Sequence, residues 1–171
     1  MPQNQKMILD SNAFIEAKNR YYAFDICPGY WDFVIKDFGC GNATSITHVW
    51  AEIESGGDDL TAWMKSNLDK KQFYDCAKDA DVVSRYRVVS HYVTTAYSAK
   101  PNVISAFLDP SVADPWLVAF ALARGGTVVT QETPKPSGKK VSLVDVCDHF
   151  EVRHIDMIEF LRVEKARFVL G

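Results

Sequence analysis

A short apolar run that ends on an acid and turns at once into a helix constrains the fold of this chain more than any other feature. Residues Met7–Leu9 are apolar and β-tolerant, which predicts a buried central strand. Asp10 stands where this strand stops, and Ser11 or Asn12 is placed to cap a helix over residues 13–18. Ligands bind at the carboxyl ends of the strands in open α/β sheets. Asp10 is therefore a candidate metal-site or phosphate-site residue, although a simple turn or capping aspartate explains it equally well.

Capping residues, prolines and apolar residues at helical spacing predict a series of further helices. Their ranges are 28–38 with a stop at Gly39, 46–53, 58–67, 79–98, 101–108, 114–123, 142–150 and from 156 onward. β-Branched runs predict strands at 127–130 and 152–155, and prolines with a glycine predict a loop at 133–140. The alternation of strands and helices predicts an α/β fold, with a mainly parallel sheet covered by helices on both faces.

The length and composition fit one domain over residues 1–171. The chain is 47% hydrophobic and 24% charged, which is ordinary for a protein that buries a core. A net charge of −3 argues against a general nucleic-acid coat protein, but not against a nuclease whose acids bind cations. Four cysteines without a C-x-x-C pair, a polar start and no apolar run near ~18 residues predict a cytoplasmic protein without a membrane span.

Three acids occupy the same kind of place in the predicted fold. Asp10 and Glu132 each follow a strand, and Asp114 opens a helix that is apolar on every side and is therefore predicted to be buried on all faces. Helix N-termini and the carboxyl ends of parallel strands meet at one edge of such a sheet. Carboxylates that converge there repel each other unless a cation lies among them, and hard oxygen ligands suit Mg²⁺ or Mn²⁺. Taken singly, Asp114 before a proline fits a helix cap, and Glu132 fits a surface loop.

Four stretches of the sequence resemble the four acidic blocks of the PIN domain, in the order of that family. They are residues 7–12 (Met-Ile-Leu-Asp-Ser-Asn), 49–53 (Val-Trp-Ala-Glu-Ile), 114–121 (Asp-Pro-Trp-Leu-Val-Ala-Phe-Ala) and 128–132 (Val-Val-Thr-Gln-Glu). The Asp-Pro-Trp block and residues 21–31 also resemble a bacterial and archaeal PIN subfamily of unknown function. Together these stretches extend the resemblance over nearly the whole chain.

The resemblance implies a three-layer α/β/α fold and Mg²⁺- or Mn²⁺-dependent cleavage of RNA phosphodiester bonds. It also implies the toxin half of a toxin–antitoxin pair, like the VapC-type toxins. The expected partner is an antitoxin protein encoded by a neighbouring gene. A homodimer is a further expectation. The residues matching the metal-binding acids are Asp10, Glu52, Asp114 and Glu132, and those matching supporting polar positions are Asn12 and Thr130. The fourth acid of the family is usually aspartate, and the longer Glu132 departs from that pattern.

The helical pattern does not choose between two glutamates in the second block. Glu52 and Glu54 lie on opposite flanks of the predicted apolar face, about equally far round the helix at roughly 100° per residue. The family pattern favours Glu52, and Glu54 is the alternative. His48 lies one turn before Glu52, a spacing that a metal site could use, although a surface histidine is the more common explanation.

Two other interpretations of the same residues compete with the interpretation as a nuclease. One is a PIN-like module that binds RNA or a protein and has weak or no nuclease activity; four intact acids argue against it. Another is a magnesium phosphotransfer fold, which the segment 10–12 disfavours because it lacks the second acid of the Asp-x-Asp pattern. For a nuclease with little overall positive charge, RNA is expected to be held locally, by Lys139, Lys140 and Arg20.

Overall fold

A sheet of short parallel strands organises the protein. The computed structural model describes residues 6–135 and 139–169. Within these ranges the sheet has five strands in the order β3-β2-β1-β4-β5, and every neighbouring pair is parallel. The strands are β1 (Met7–Leu9), β2 (Ala43–Ile46), β3 (Phe73–Tyr74), β4 (Thr127–Val129) and β5 (His154–Ile155).

Helices cover both faces of this sheet and give a three-layer α/β/α fold, which confirms the predicted fold class. They are α1 (Ser11–Glu16), α2 (Pro28–Cys40), α3 (Thr47–Gly56), α4 (Asp59–Asn67), α5 (Ala80–Ala96), α6 (Pro101–Phe107), α7 (Asp114–Arg124), α8 (Leu143–His149) and α9 (Met157–Val163). A π-helical turn, Ala17–Tyr21, continues α1. In the described part of the chain, no helix is long and apolar enough to cross a membrane.

Strand β1 is the centre of the sheet, as its sequence predicts. It pairs with β2 on one side and β4 on the other, through Met7 opposite Ala43 and Met7 opposite Thr127. Ile8 and Leu9 are fully buried. A continuous apolar run suits a strand that packs against helices on both faces.

Strands β2 and β3 are absent from the sequence-based prediction, because their residues do not show a strand pattern. The middle of β2 is polar, yet Thr44 and Ser45 are buried. The Ser45 hydroxyl donates to the Leu9 carbonyl at 2.6 Å, and the Thr44 hydroxyl donates to the Gln72 carbonyl at 3.2 Å. Buried hydroxyls are tolerated when they are hydrogen-bonded. These partners lie on other segments, so no local pattern reveals them.

Several predicted helix ends differ from the structure. The helix predicted over 46–53 begins at Thr47 and ends at Gly56, because Ile46 is the last residue of β2. The second helix does not stop at Gly39 but runs to Cys40, and Gly41 ends it with a left-handed φ of 77°. The first helix begins at Ser11, so that Asp10, rather than Ser11 or Asn12, occupies the N-cap position, and its side chain makes no capping bond. Residues 136–138 of the predicted loop lie outside the described residues.

Helix α7 is buried through its middle and partly exposed on one flank. Residues 117–121 are buried, whereas Trp116 and Leu122 keep some exposure. The prediction of a helix buried on all faces is therefore correct only for the central part of α7. Helix α5 packs along α7, and the first residue of α7, Asp114, lies near Asp10 and Glu132.

Gly126 gives a test of how closely β4 must approach β1. Its φ is 128°, and an added Cβ would lie 2.7 Å from Ile8 Cδ1 and 2.8 Å from the Lys6 carbonyl oxygen. Gly126→Ala is expected to lower the free energy of unfolding by about 2 kcal/mol or more, through overpacking and backbone strain. Chemical denaturation of both proteins measures this.

Gly39→Ala is the matched control. Gly39 lies within α2, and an added Cβ there meets nothing within 4 Å. Alanine should therefore raise the free energy of unfolding by up to about 1 kcal/mol, through helix propensity alone. Equal effects of the two substitutions would contradict the close approach at Gly126.

Candidate acidic site

Asp10 is a buried carboxylate held between two neighbouring strand ends. Its residue is 0% exposed, and its backbone N–H donates to the Val129 carbonyl at 3.0 Å. The Thr130 hydroxyl donates to Asp10 Oδ2 at 2.8 Å, and the Ser11 hydroxyl donates to Oδ1 at 3.2 Å. Hydroxyl groups therefore contact both oxygens of the carboxylate, and a backbone hydrogen bond from Ser11, the first residue of α1, also lowers the pKa of Asp10.

Thr130 connects Asp10 to the next acid along the chain. Leu9 pairs with Val129, and this parallel register brings Asp10 and Thr130, the residues that follow each strand, side by side. The Glu132 backbone N–H donates to Thr130 Oγ1 at 3.1 Å. Thr130 therefore fixes both the Asp10 carboxylate and the start of the loop that carries Glu132.

Glu132 is held at the beginning of α8. Its Oε2 accepts from the Leu143 backbone N–H at 3.0 Å and from the Ser142 hydroxyl at 3.3 Å. Lys140 Nζ lies 3.7 Å from Oε1, and the glutamate side chain is only 10% exposed while that of the lysine is 61% exposed. Glu132 is thus a partly buried acid with one cationic neighbour, not a free loop residue.

The two glutamates of α3 have different environments. Glu52 Oε1 accepts from the backbone N–H of Ala113, the N-cap residue of α7, at 2.8 Å. Glu54 pairs with Lys65 at 2.7 Å with both side chains well exposed, and this lysine lowers the pKa of Glu54. Glu52 therefore faces the start of α7, whereas Glu54 belongs to the surface between α3 and α4.

Asp114 is the first residue of α7, and its surroundings raise its pKa. Burial raises its pKa well above the usual range, and the nearby charges of Asp10, Glu132 and Glu52 raise it further. Lys140 opposes this effect. Ala113, not Asp114, occupies the N-cap position, so a capping bond does not account for this aspartate.

The same interactions act on Asp10. Burial raises its pKa from 3.8 to about 6; the hydrogen bond from Thr130 lowers it, and the charges of Glu52 and Glu132 raise it. Four carboxylates from four separate segments therefore share one electrostatic environment. We call Asp10, Glu52, Asp114 and Glu132 the acidic site.

The carboxylate oxygens of the acidic site suit a hard divalent cation. In this structure, however, the four side chains do not surround a single ion position. Carboxylate oxygens are the ligands that Mg²⁺ and Mn²⁺ prefer, and unpaired burial of such groups is unfavourable. Across residues 6–135 and 139–169, however, no three His, Cys, Asp or Glu side chains are placed to hold one ion. Glu52 and Glu132 instead accept hydrogen bonds from backbone N–H groups.

Three other predicted residues form no hydrogen bond or ion pair with the acidic site in the described part of the chain. Asn12 is partly exposed on α1, and the described chain shows no hydrogen bond between it and the acidic site. Arg20 pairs with Glu16 at 2.7 Å, whereas Lys139 is exposed.

His48 is not a surface histidine. It is partly buried and stacks on Trp116 with ring centroids 4.9 Å apart, and burial lowers its pKa.

Ser142 and Ser11 contact the acids but were not predicted to do so. Ser142 caps α8 by accepting from the Val144 N–H, and the same hydroxyl reaches Glu132. The sequence Ser142-x-x-Asp145 before an apolar run signals the helix start. No local pattern signals the second contact, because it depends on where the loop after β4 returns.

With this geometry described, the family of the chain can be stated. The chain belongs to the family described as domain of unknown function DUF4411, which matches residues 7–168. Comparison with curated proteins and with solved structures gives no match.

Asp114→Asn tests whether burial and the neighbouring acids raise the pKa of Asp114 in the metal-free protein. A raised carboxyl pKa contributes stability that is present below about pH 4 and is lost as the pH rises, because only the unfolded chain ionises freely. Asparagine resembles the protonated acid. The variant should match the wild type near pH 4 and melt higher at pH 7 in chelator, by roughly 2–10 °C.

Glu54→Gln is the control for removal of one negative charge. Glu54 pairs with exposed Lys65, so its loss should leave the melting temperature unchanged or slightly lower at both pH values. Scanning calorimetry of the three proteins gives the comparison. A pH-independent difference between Asp114→Asn and wild type would show that burial and the neighbouring acids do not raise the pKa of Asp114.

Proposed function

We propose that this protein is a Mg²⁺- or Mn²⁺-dependent endoribonuclease of PIN-like type. One observation carries the proposal: the acidic site gathers carboxylates from the ends of β1 and β4, from α3 and from the start of α7. Burial and mutual repulsion raise the pKa of two of them. Such an arrangement is unfavourable for folding alone and is typical of functional sites.

The residues that would hold the cation are Asp10 and Asp114, together with Glu52 and Glu132 once these exchange their backbone hydrogen bonds for it. When bound, a divalent cation lowers the pKa of a coordinated water and neutralises charge on the scissile phosphate. The sheet edge keeps the two aspartates close, and the longer glutamate arms can reorient.

Several residues of the chain prepare the site. The hydroxyls of Thr130 and Ser11 fix the rotamer of Asp10, and the start of α8 holds Glu132. Exposed Lys140 stands beside Glu132, where an ammonium group attracts the phosphate backbone of RNA. A negative site flanked by local positive charge agrees with the overall charge of −3.

The backbone hydrogen bonds of Glu52 and Glu132 favour a second candidate function. If these bonds persist in solution, the protein is a PIN-like module that binds RNA or a protein and has weak or no nuclease activity. Metal binding separates the two candidates. Mg²⁺ or Mn²⁺ should raise the melting temperature of the nuclease, since a ligand of the folded state stabilises it, and should leave the module unchanged.

Activity against single-stranded RNA tests the nuclease directly. Purified protein should cleave RNA with Mg²⁺ or Mn²⁺ and lose activity in chelator. Asp10→Asn and Glu52→Gln should reduce turnover by orders of magnitude, because each removes a charge from the acidic site. Glu54→Gln, two residues from Glu52 but paired with Lys65, should remain close to wild type.

Three results would contradict this assignment. Wild-type turnover by Asp10→Asn would exclude the acidic site, and loss of activity in Glu54→Gln alone would move the second block to Glu54. The third result is a melting temperature of Asp114→Asn that responds to Mn²⁺ as strongly as that of wild type. This result would exclude Asp114 as a ligand.

We further propose that the nuclease is the toxin of a toxin–antitoxin pair, a role supported by the resemblance of the four acidic blocks to VapC-type toxins. Expression should then arrest growth, and co-expression of the protein encoded by the neighbouring gene should relieve the arrest. The Asp10→Asn variant is the control and should be harmless. Normal growth during strong expression of active enzyme would refute the toxin role while leaving the nuclease intact.

A further inference from the structure

Three clefts open beside members of the acidic site, and they differ in charge. A cleft of about 490 Å³ lies beside Glu52 and is lined by His48 and Ser111 among others. A second, of about 430 Å³, lies beside Glu132 and contains Asp156 and Glu159. The third, of about 380 Å³, lies beside Asp114 and contains Lys139 and Lys140.

The third cleft, which we call the α6 cleft, has apolar walls. They are formed by Val103, Ala106, Phe107, Val112 and Val141. Phe107 and Val141 are buried, whereas Ala106 on α6 is exposed at the mouth. Its volume lies within the range of about 300–1,000 Å³ that is usual for small-ligand pockets. A flat aromatic group can therefore enter between apolar side chains.

The rim of the α6 cleft is polar and carries positive charge. Lys139 and Lys140 are exposed there, and Asn102 at the start of α6 adds an amide. Phosphates are attracted by lysine ammonium groups, and an asparagine amide can both donate to and accept from a base edge. Asp114 belongs both to this cleft and to the acidic site, so a group bound in the cleft lies next to the acids.

The other two clefts lack this combination of walls and rim. Asp156 and Glu159 in the cleft beside Glu132 repel a phosphate backbone. The cleft beside Glu52 has hydroxyl groups and one histidine, whose pKa burial lowers, but no lysine or arginine in its lining. Charge and apolar surface together therefore single out the α6 cleft.

We propose that the α6 cleft binds one unpaired nucleobase of the RNA strand next to the phosphate that is cleaved. The base packs against Val103 and Phe107, Asn102 contacts its edge, and Lys139 and Lys140 bind the adjoining phosphate. This inference rests on the proposed nuclease function and adds that the substrate is single-stranded at the cleavage point, since a paired and stacked base cannot enter the cleft.

Ala106→Trp fills the mouth of the cleft without replacing any of the four acids. Ala62→Trp is the matched control, because Ala62 is exposed on α4 and lines none of the three clefts. Binding of a fluorescein-labelled 12-nucleotide single-stranded RNA of mixed sequence is measured by anisotropy in Ca²⁺. We expect Ala106→Trp to weaken binding about 10-fold or more, the order expected for one lost base contact, and Ala62→Trp to bind as wild type.

Cleavage of RNAs with a single abasic ribose, moved one position at a time, locates the bound base. The cleavage rate of wild type should fall about 10-fold or more when the abasic position adjoins the cleaved phosphate. The Ala106→Trp variant should cleave intact RNA slowly and show no further loss with the abasic RNA. Ala106→Phe, a smaller filling, should give an intermediate effect, and melting curves show that each variant is folded.

The two arms separate failure of this inference from failure of the nuclease function. If wild type cleaves RNA and folded Ala106→Trp behaves like Ala62→Trp in both arms, the α6 cleft does not bind a base. If wild type does not cleave RNA, the nuclease function fails, and the anisotropy arm still decides whether the cleft binds RNA. Equal RNA binding by the two tryptophan variants, or no binding by wild type, overturns the inference.

Discussion

The parallel register between β1 and β4 is the constraint on which the acidic site depends. Leu9 pairs with Val129, and the next residue of each strand is then a polar group at the same edge. Burial of Ile8 and Leu9 favours this register, because a shift by one residue would put the Asp10 carboxylate where the Leu9 side chain packs, away from its hydroxyl partners. The tight packing of Gly126 against Ile8 protects the same register.

Repulsion between the carboxylates is the second property of the site. The sheet brings acids together, and the protein moderates their repulsion with neutral donors: hydroxyls on Asp10 and backbone N–H groups on Glu52 and Glu132. Lys140 is the exposed cation beside this group. Neutral donors stabilise the ionised form of an acid only in part, which leaves Asp10 and Asp114 with raised pKa values.

The sequence predicts the layers of the fold and the edge of the sheet where the acids meet, because both follow from local patterns. An apolar run ending in Asp10 and a β-branched run ending before Glu132 are enough to predict parallel strand ends. The choice between Glu52 and Glu54 is different. It depends on the Ala113 N–H, which is 61 positions away from Glu52, and on Lys65 in the next helix. Periodicity within one helix carries no information about either partner.

Burial through long-range hydrogen bonds explains the other differences. Thr44 and Ser45 look like turn residues, and they enter the sheet because distant carbonyl groups accept their hydroxyls. His48 looks like a surface residue, and Trp116 partly covers it. In each case the tertiary partner overrides the local preference, as is common for strands and for polar residues.

The hydrogen bond between Glu52 and the Ala113 N–H couples ligand binding at the acidic site to the start of α7. One carboxylate serves both the acidic site and the first turn of α7, so a ligand that recruits Glu52 competes with the helix end for the same oxygen. Linkage makes this competition reciprocal: a change that strengthens the hydrogen bond between Glu52 and the Ala113 N–H would weaken a ligand that needs the same oxygen, and a ligand bound there would loosen the start of α7.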